Sequence, residues 1–224
     1  MRRSVSLSRT HIILGVALSV YGVIISNLMS VIATNPADTP IDLVRIFPLL
    51  SVAILSLSTL LFSLPVVMLF VYDKTNGVFE YLLSTGFDQL DVFKGYVKAS
   101  LVLASSLLAF SCTLNTAVGI YLGTSLALLV SIIILAFAIG ISAVFLVSVA
   151  MMAFSSLQKT PTGANQPLGV IIGIIPVFPA LILPLIFPSY ALVIDAAIAS
   201  VTLLISIALL LSVDRIILRE KLLP

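Results

Sequence analysis

The sequence predicts an all-α, polytopic membrane protein with six transmembrane helices. Three observations predict it. Sixty consecutive residues, Ala99 to Gln158, carry no Asp, Glu, Lys or Arg, and Ile46–Tyr72, Thr160–Ile194 and Ala196–Val213 are likewise uncharged. Charged residues make up only 9% of the 224 and hydrophobic residues 61%, too little charge to cover a water-soluble surface. Once six spans are drawn, ten of the eleven Lys and Arg fall on one side and only Arg45 on the other. A Lys or Asp at a bilayer centre costs about 2.5–3.5 kcal/mol on insertion scales, so their absence over such lengths marks hydrocarbon.

A span needs about 20 apolar residues at 1.5 Å per residue. Windows of that size fall at 11–33, 45–72, 97–117, 124–156, 167–188 and 192–213, leaving no room for a soluble domain; residues 1–224 read as one transmembrane domain. The runs are too long and too uniform for the alternating strands of an outer-membrane barrel. The positive-inside bias puts both termini in the cytoplasm and the protein in the cell membrane. The first apolar run is longer than a signal-peptide core and reads as a span.

The N-terminal MRRSVSLSRT is a short basic lead, and Asn35-Pro36-Ala37-Asp38-Thr39-Pro40 is a turn-rich external link. Ser56, Thr59 and Ser63 share a face of the second span, and Ser105, Ser106 and Ser111 follow in the third. Back-bonding to helix carbonyls explains them more simply than a polar pathway. The external turn is expected near Asn115–Gly123, and Gln158–Gln166 forms a cytoplasmic linker punctuated by Pro161 and Gly163. The fifth span holds Pro176, Pro179 and Pro184, with Pro188 just beyond. Each Pro removes an intrahelical donor, so this span should be Pro-broken: bent, or partly re-entrant from outside. Below the prolines, Gly169 and Gly173 make a GxxxG that permits close helix approach. We assign 176–190, with Tyr190, as the external gate.

The one long polar interval runs from Asp73 to about Lys98 on the cytoplasmic side. Asn76 is placed to cap a short helix with Glu80 in its first turn, and Gly86 to close it in the left-handed conformation. Asp88 then caps a second helix that runs into the third span, with Asp91 three residues on. The short helix displays Phe79, Leu82 and Leu83 beside Glu80. It is too small to bury that face alone and should dock on lipid headgroups, its own bundle or a soluble partner.

In this interval Gly77, Glu80, Leu82, Leu83, Ser84, Thr85, Leu90, Asp91 and Gly95 stand in the order of a motif found after the second span of ABC type-2 exporter permeases. The chain resembles that family in its six-span order, internal N-terminus and Pro-rich fifth span as well. The resemblance implies a non-catalytic membrane subunit of an ATP-driven exporter. Its coupling helix, carrying Gly77, Phe79, Glu80, Leu82, Leu83, Ser84 and Thr85, would fit a cleft in a separate ABC ATPase subunit. It also implies a second permease copy, identical or related, around a shared pathway. The sequence departs from the motif at Gly86 (usually Pro), at Tyr96 (usually Lys) and in an acidic-basic lead reduced to Asp73-Lys74. The ten-residue lead, the length near 220 and the Pro-rich fifth span are similar to the haem-exporter permeases, a subfamily alternative.

No G-x-x-x-x-G-K-[ST] occurs, so ATP would be bound by the partner, and no cofactor, metal site or nucleic-acid partner is expected. One His (His11) and one Cys (Cys112) leave no material for a catalytic or metal cluster. Asp195 is the only acid near a span interior, close to its outer end, and no carboxylate pair offers a proton relay. A secondary transporter or channel is the alternative, whose signature would be buried ionisable residues or symmetric broken helices.

Overall fold

A computed structural model describes residue 9, residues 12–24, residue 27, and residues 41–153 and 169–219. The described residues are helical apart from short turns. Helix α1 covers Ile12–Ile24. It is followed by α2 (Ile41–Thr75), α3 (Val78–Ser84), α4 (Gln89–Tyr121), α5 (Leu126–Ala153), α6 (Val170–Ile186), a 3-10 turn (Pro188–Tyr190) and α7 (Ala191–Arg219). Four segments are long and apolar enough to cross a membrane: Leu50–Lys74, Gln89–Tyr121, Leu126–Met151 and Pro188–Ser212. Two apolar helices are shorter, Ile12–Ile24 and Val170–Ile186. The external link at 35–40 and the linker at 158–166 lie outside the described residues.

Helix α5 is the axis of the bundle. It is apolar on every face, as a helix enclosed by others must be, and residues 142–150 are buried without interruption. It packs against α2, α4, α6 and α7. Helix α1 lies antiparallel on α2, with Gly15 against Phe62 and Gly22 against Ile54. A Cβ at Gly173 would overlap Val147 on α5 and Leu60 on α2, so the expected close approach of the GxxxG segment occurs there.

Polar groups inside the bundle are mostly answered locally. Ser56, Thr59 and Ser63 are buried and donate to the carbonyls of Val52, Leu55 and Leu60. Ser105, Ser106 and Ser111 likewise donate to carbonyls within α4, and of these only Ser111 is buried. Back-bonding, not a polar pathway, accounts for these hydroxyls. A smaller set ties helices together: Ser19 to Ser111, Asn27 to Asn115 at 2.9 Å, and Ser100 to Ser148 at 2.8 Å. Asn115 therefore sits inside α4, not in a turn. The turn falls at 122–125, where Gly123 (φ 79) closes the helix and the Thr124 amide reaches the Gly119 carbonyl at 2.8 Å.

The fifth apolar segment differs from its sequence reading. Pro176, Pro179 and Pro184 all lie inside one α-helix of 17 residues. The break comes afterwards, at Phe187 (φ −123, ψ 68) and the 3-10 turn. Pro176 and Pro184 are buried and α6 packs against α2, α5 and α7, so tertiary packing holds the helix despite the missing donors.

Candidate functional site

Two places hold chemistry that the apolar bundle does not require. The first is the α2–α3–α4 corner. Helix α2 ends at Thr75, and the Asn76 side chain donates to the Tyr72 carbonyl at 2.7 Å. Asn76 thus finishes α2 instead of capping α3. The residue before α3 is Gly77, held at φ 73, a left-handed conformation that disfavours a side chain. At the other end, Gly86 (φ 93) closes α3 as its position suggests. Its amide reaches the Leu83 carbonyl at 3.1 Å, and the Phe87 amide reaches Leu82 at 3.3 Å, a paired 5→2 and 6→1 closure. Asp88 occupies the N-cap position of α4 with an extended backbone, but its side chain makes no capping bond.

Phe79 anchors this small helix. It is buried to 2% exposure, its ring edge-on to Phe70 at 5.1 Å and stacked on Tyr96 at 6.5 Å. The Tyr96 hydroxyl donates to Asp73 Oδ2 at 2.5 Å, tying the start of α4 to the end of α2. Two of the departures from the exporter motif, Tyr96 and the shortened Asp73-Lys74 lead, are therefore the two halves of one hydrogen bond. Sequence reasoning had no means to pair them. The departures themselves were the signal.

Docking on the bundle through Phe79 changes which side of α3 is open. Leu82 and Leu83 are half-buried, while Glu80, Ser84 and Thr85 are exposed. The Ser84 and Thr85 hydroxyls are turned onto the Tyr81 and Leu82 carbonyls, each at 2.7 Å. The outward face instead presents Tyr81 (67% exposed) and Phe87 (58%), with Val78 beside Glu80. The sequence pattern singles out neither aromatic. Of the predicted coupling residues, Phe79 belongs to the bundle's own core.

The second place is the hairpin of α6 and α7. Pro176 and Pro184 are buried, Pro179 is half-buried and Tyr190 is 64% exposed at the turn. Leu185, Ile186 and Phe187 are exposed beside it. One helical turn into α7 lies Asp195, with no exposed surface at all. Neither carboxylate oxygen has a hydrogen-bond partner among the described residues. Asp195 shares the inward stripe of α7 with Ala191, Ala199 and Thr202, spaced at three and four residues. Its sequence position suggested an outer-end acid; the fold turns it inward. No group of His, Cys, Asp and Glu capable of holding a metal ion occurs among the described residues.

No family model, curated protein sequence or solved structure matches the chain.

Proposed function

We propose that the protein is the membrane-spanning subunit of an ATP-driven ABC exporter, coupled to a separate ATPase chain through the 73–96 segment. In this reading α1, α2, α4, α5, α6 and α7 are six spans with both termini cytoplasmic, in the cell membrane, and two permease copies enclose the pathway. The observation that carries it is α3: a two-turn helix fixed to the end of the bundle by Phe79, with Tyr81, Phe87 and Glu80 presented outward. A helix held this way can pass a push from a partner straight into α2 and α4, which it joins. An exposed aromatic pair is also the residue type that dominates protein interfaces.

The test is retention of the ATPase. Glu80→Lys and Tyr81→Ala should insert normally yet lose the co-purifying ATPase, or lose transport-coupled ATP hydrolysis, by about tenfold, the size expected of one interface anchor. Full retention in both variants would remove α3 as a coupling element. The assigned external gate is tested by single cysteines at positions 176–190, which should crosslink between copies. Labelling only by lipid-phase reagents would place the gate elsewhere.

One observation favours the second reading, a secondary transporter. A buried ionisable side chain inside a membrane span is a hallmark of ion and substrate pathways, and Asp195 is one. Transport by the purified chain in vesicles lacking ATP and any ATPase would decide for it.

A further inference from the structure

Asp195 is buried, and neither of its carboxylate oxygens has a hydrogen-bond partner among the described residues. The helices packed on α7 most closely, α5 and α6, contain no charged residue from end to end. Helix α2 carries Asp42 and Arg45 near its start and Asp73 and Lys74 in its last turn, and the remaining charges of α7 are Asp214, Arg215 and Arg219 at its far end. Counting along the antiparallel α6 and α7 from the turn at 187–190, Asp195 is about 7 Å in, between the levels of Pro184 (about 4 Å) and Ala180 (about 10 Å). Ala180 is fully buried, and Pro184 removes the amide that its carbonyl would otherwise accept. A carboxylate and a freed carbonyl at one depth in an uncharged bundle call for a cation with N–H donors.

An apolar groove of about 570 Å³ lies between α5, α6 and α7; Asp195 is closed off from it, but Ile198 and Thr202 of the same helix line it. Val149, Ile175, Pro179, Ile198, Thr202 and Ile205 are among the residues that line it. Ile198 lies three residues from Asp195, one turn inward, and Thr202 lies about 20° around the helix from it. The groove's upper wall is α6 at Pro179, just below Pro184. A helix with missing hydrogen bonds bends there at low cost, which gives a route to the closed carboxylate.

We propose that Asp195 and this groove form a binding site for an amphipathic primary amine, its alkyl body in the groove and its ammonium on the Asp195 carboxylate. Charge complementarity selects this occupant over a neutral acyl chain, which would fill the groove and leave the carboxylate unanswered. As cargo recognition the site rests on the transporter reading above. As a binding site it stands apart from the ATPase, so the two are separable by experiment.

The test compares dodecylamine with 1-dodecanol on the purified chain in lipid nanodiscs, each corrected for uptake by protein-free discs. The wild type should bind the amine at least about tenfold more tightly than the alcohol, one hydrogen-bonded charge contact. Asp195→Asn should abolish that preference and leave dodecanol binding unchanged. Equal binding of the two ligands by the wild type, or an unchanged preference in D195N, would overturn the proposal. A second measurement needs no variant: dicyclohexylcarbodiimide modification of Asp195, read by mass spectrometry, should be slowed by dodecylamine and not by dodecanol. Equal protection by both, or by neither, overturns the site even where D195N does not fold. Amine preference without ATPase retention would uphold the site and sink the exporter reading; ATPase retention without amine preference would do the reverse.

Discussion

At the end of the bundle that carries α3, polar side chains meet partners: Asp73 takes the Tyr96 hydroxyl, and Asn76 finishes α2 on the Tyr72 carbonyl. At the opposite end Asp195 is buried just as firmly and has no hydrogen-bond partner among the described residues. Both places interrupt an otherwise apolar chain, but they interrupt it differently. The first is complete within one chain, so what it offers outward is a rigid surface. The second holds a buried carboxylate with no hydrogen-bond partner among the described residues, which the proposed amine would answer. An unanswered buried polar group costs about 1–3 kcal/mol, more when charged. A paired one is a net contribution of about 1 kcal/mol.

That contrast can be broken by substitution, since the two ends should respond with opposite sign. The largest effect is expected at the aromatic anchor. Phe79→Ala removes a fully buried ring and its contacts with Phe70 and Tyr96, and should lower stability by about 3 kcal/mol, measured as thermal unfolding in detergent. An unchanged midpoint would mean that α3 is not held by the bundle. Next, Asp195→Leu removes an unpartnered carboxyl from an apolar setting and should raise stability by about 1–3 kcal/mol. A marked loss instead would show that Asp195 has a structural partner, and the contrast would fail. Tyr96→Phe deletes only a hydroxyl; stability should fall by about 1 kcal/mol, and Asp73→Asn should add little to it, because both act on one bond. Additive losses would separate the two residues. The smallest effect is expected at Gly86→Ala, about 1 kcal/mol, from placing a side chain at φ 93. Topology sharpens the comparison further: cysteines at Asp38 and Thr162 should label from opposite faces, and same-side labelling would put α3 and the 187–190 turn on the wrong sides.

Much of the local architecture was legible in the sequence. Uncharged runs marked the apolar helices, Gly86 marked the end of α3, Asp88 the start of α4 and Gly173 a close approach. Each of these is set by one residue's own backbone preference or by its own free energy in hydrocarbon. The α3 end was only half legible. The sequence points to Glu80 and Gly77, but its periodicity puts Phe79 on the face offered outward and does not single out Tyr81 or Phe87. A 3.6-residue period says which side chains share a face; it does not say which face is already occupied. Asn76 shows the same limit on a smaller scale, because it had two helix ends within reach and took the carbonyl of the preceding one.

What the sequence determined by itself was the solvent: a helical chain for a lipid environment, with few charges and those gathered at the helix ends. Burial in hydrocarbon acts on every residue separately, and such terms sum along a chain without knowledge of the fold. Only the tertiary structure decided the partners. It carried α6 through three prolines, where α2, α5 and α7 pack against that helix, and moved the break to Phe187. It joined Tyr96 to Asp73 across 23 positions. It turned Asp195 inward, away from any exposed surface and without a hydrogen-bond partner among the described residues. Whether a polar group is satisfied depends on which atoms lie within about 3 Å, and helix packing, not the order of residues, sets that distance.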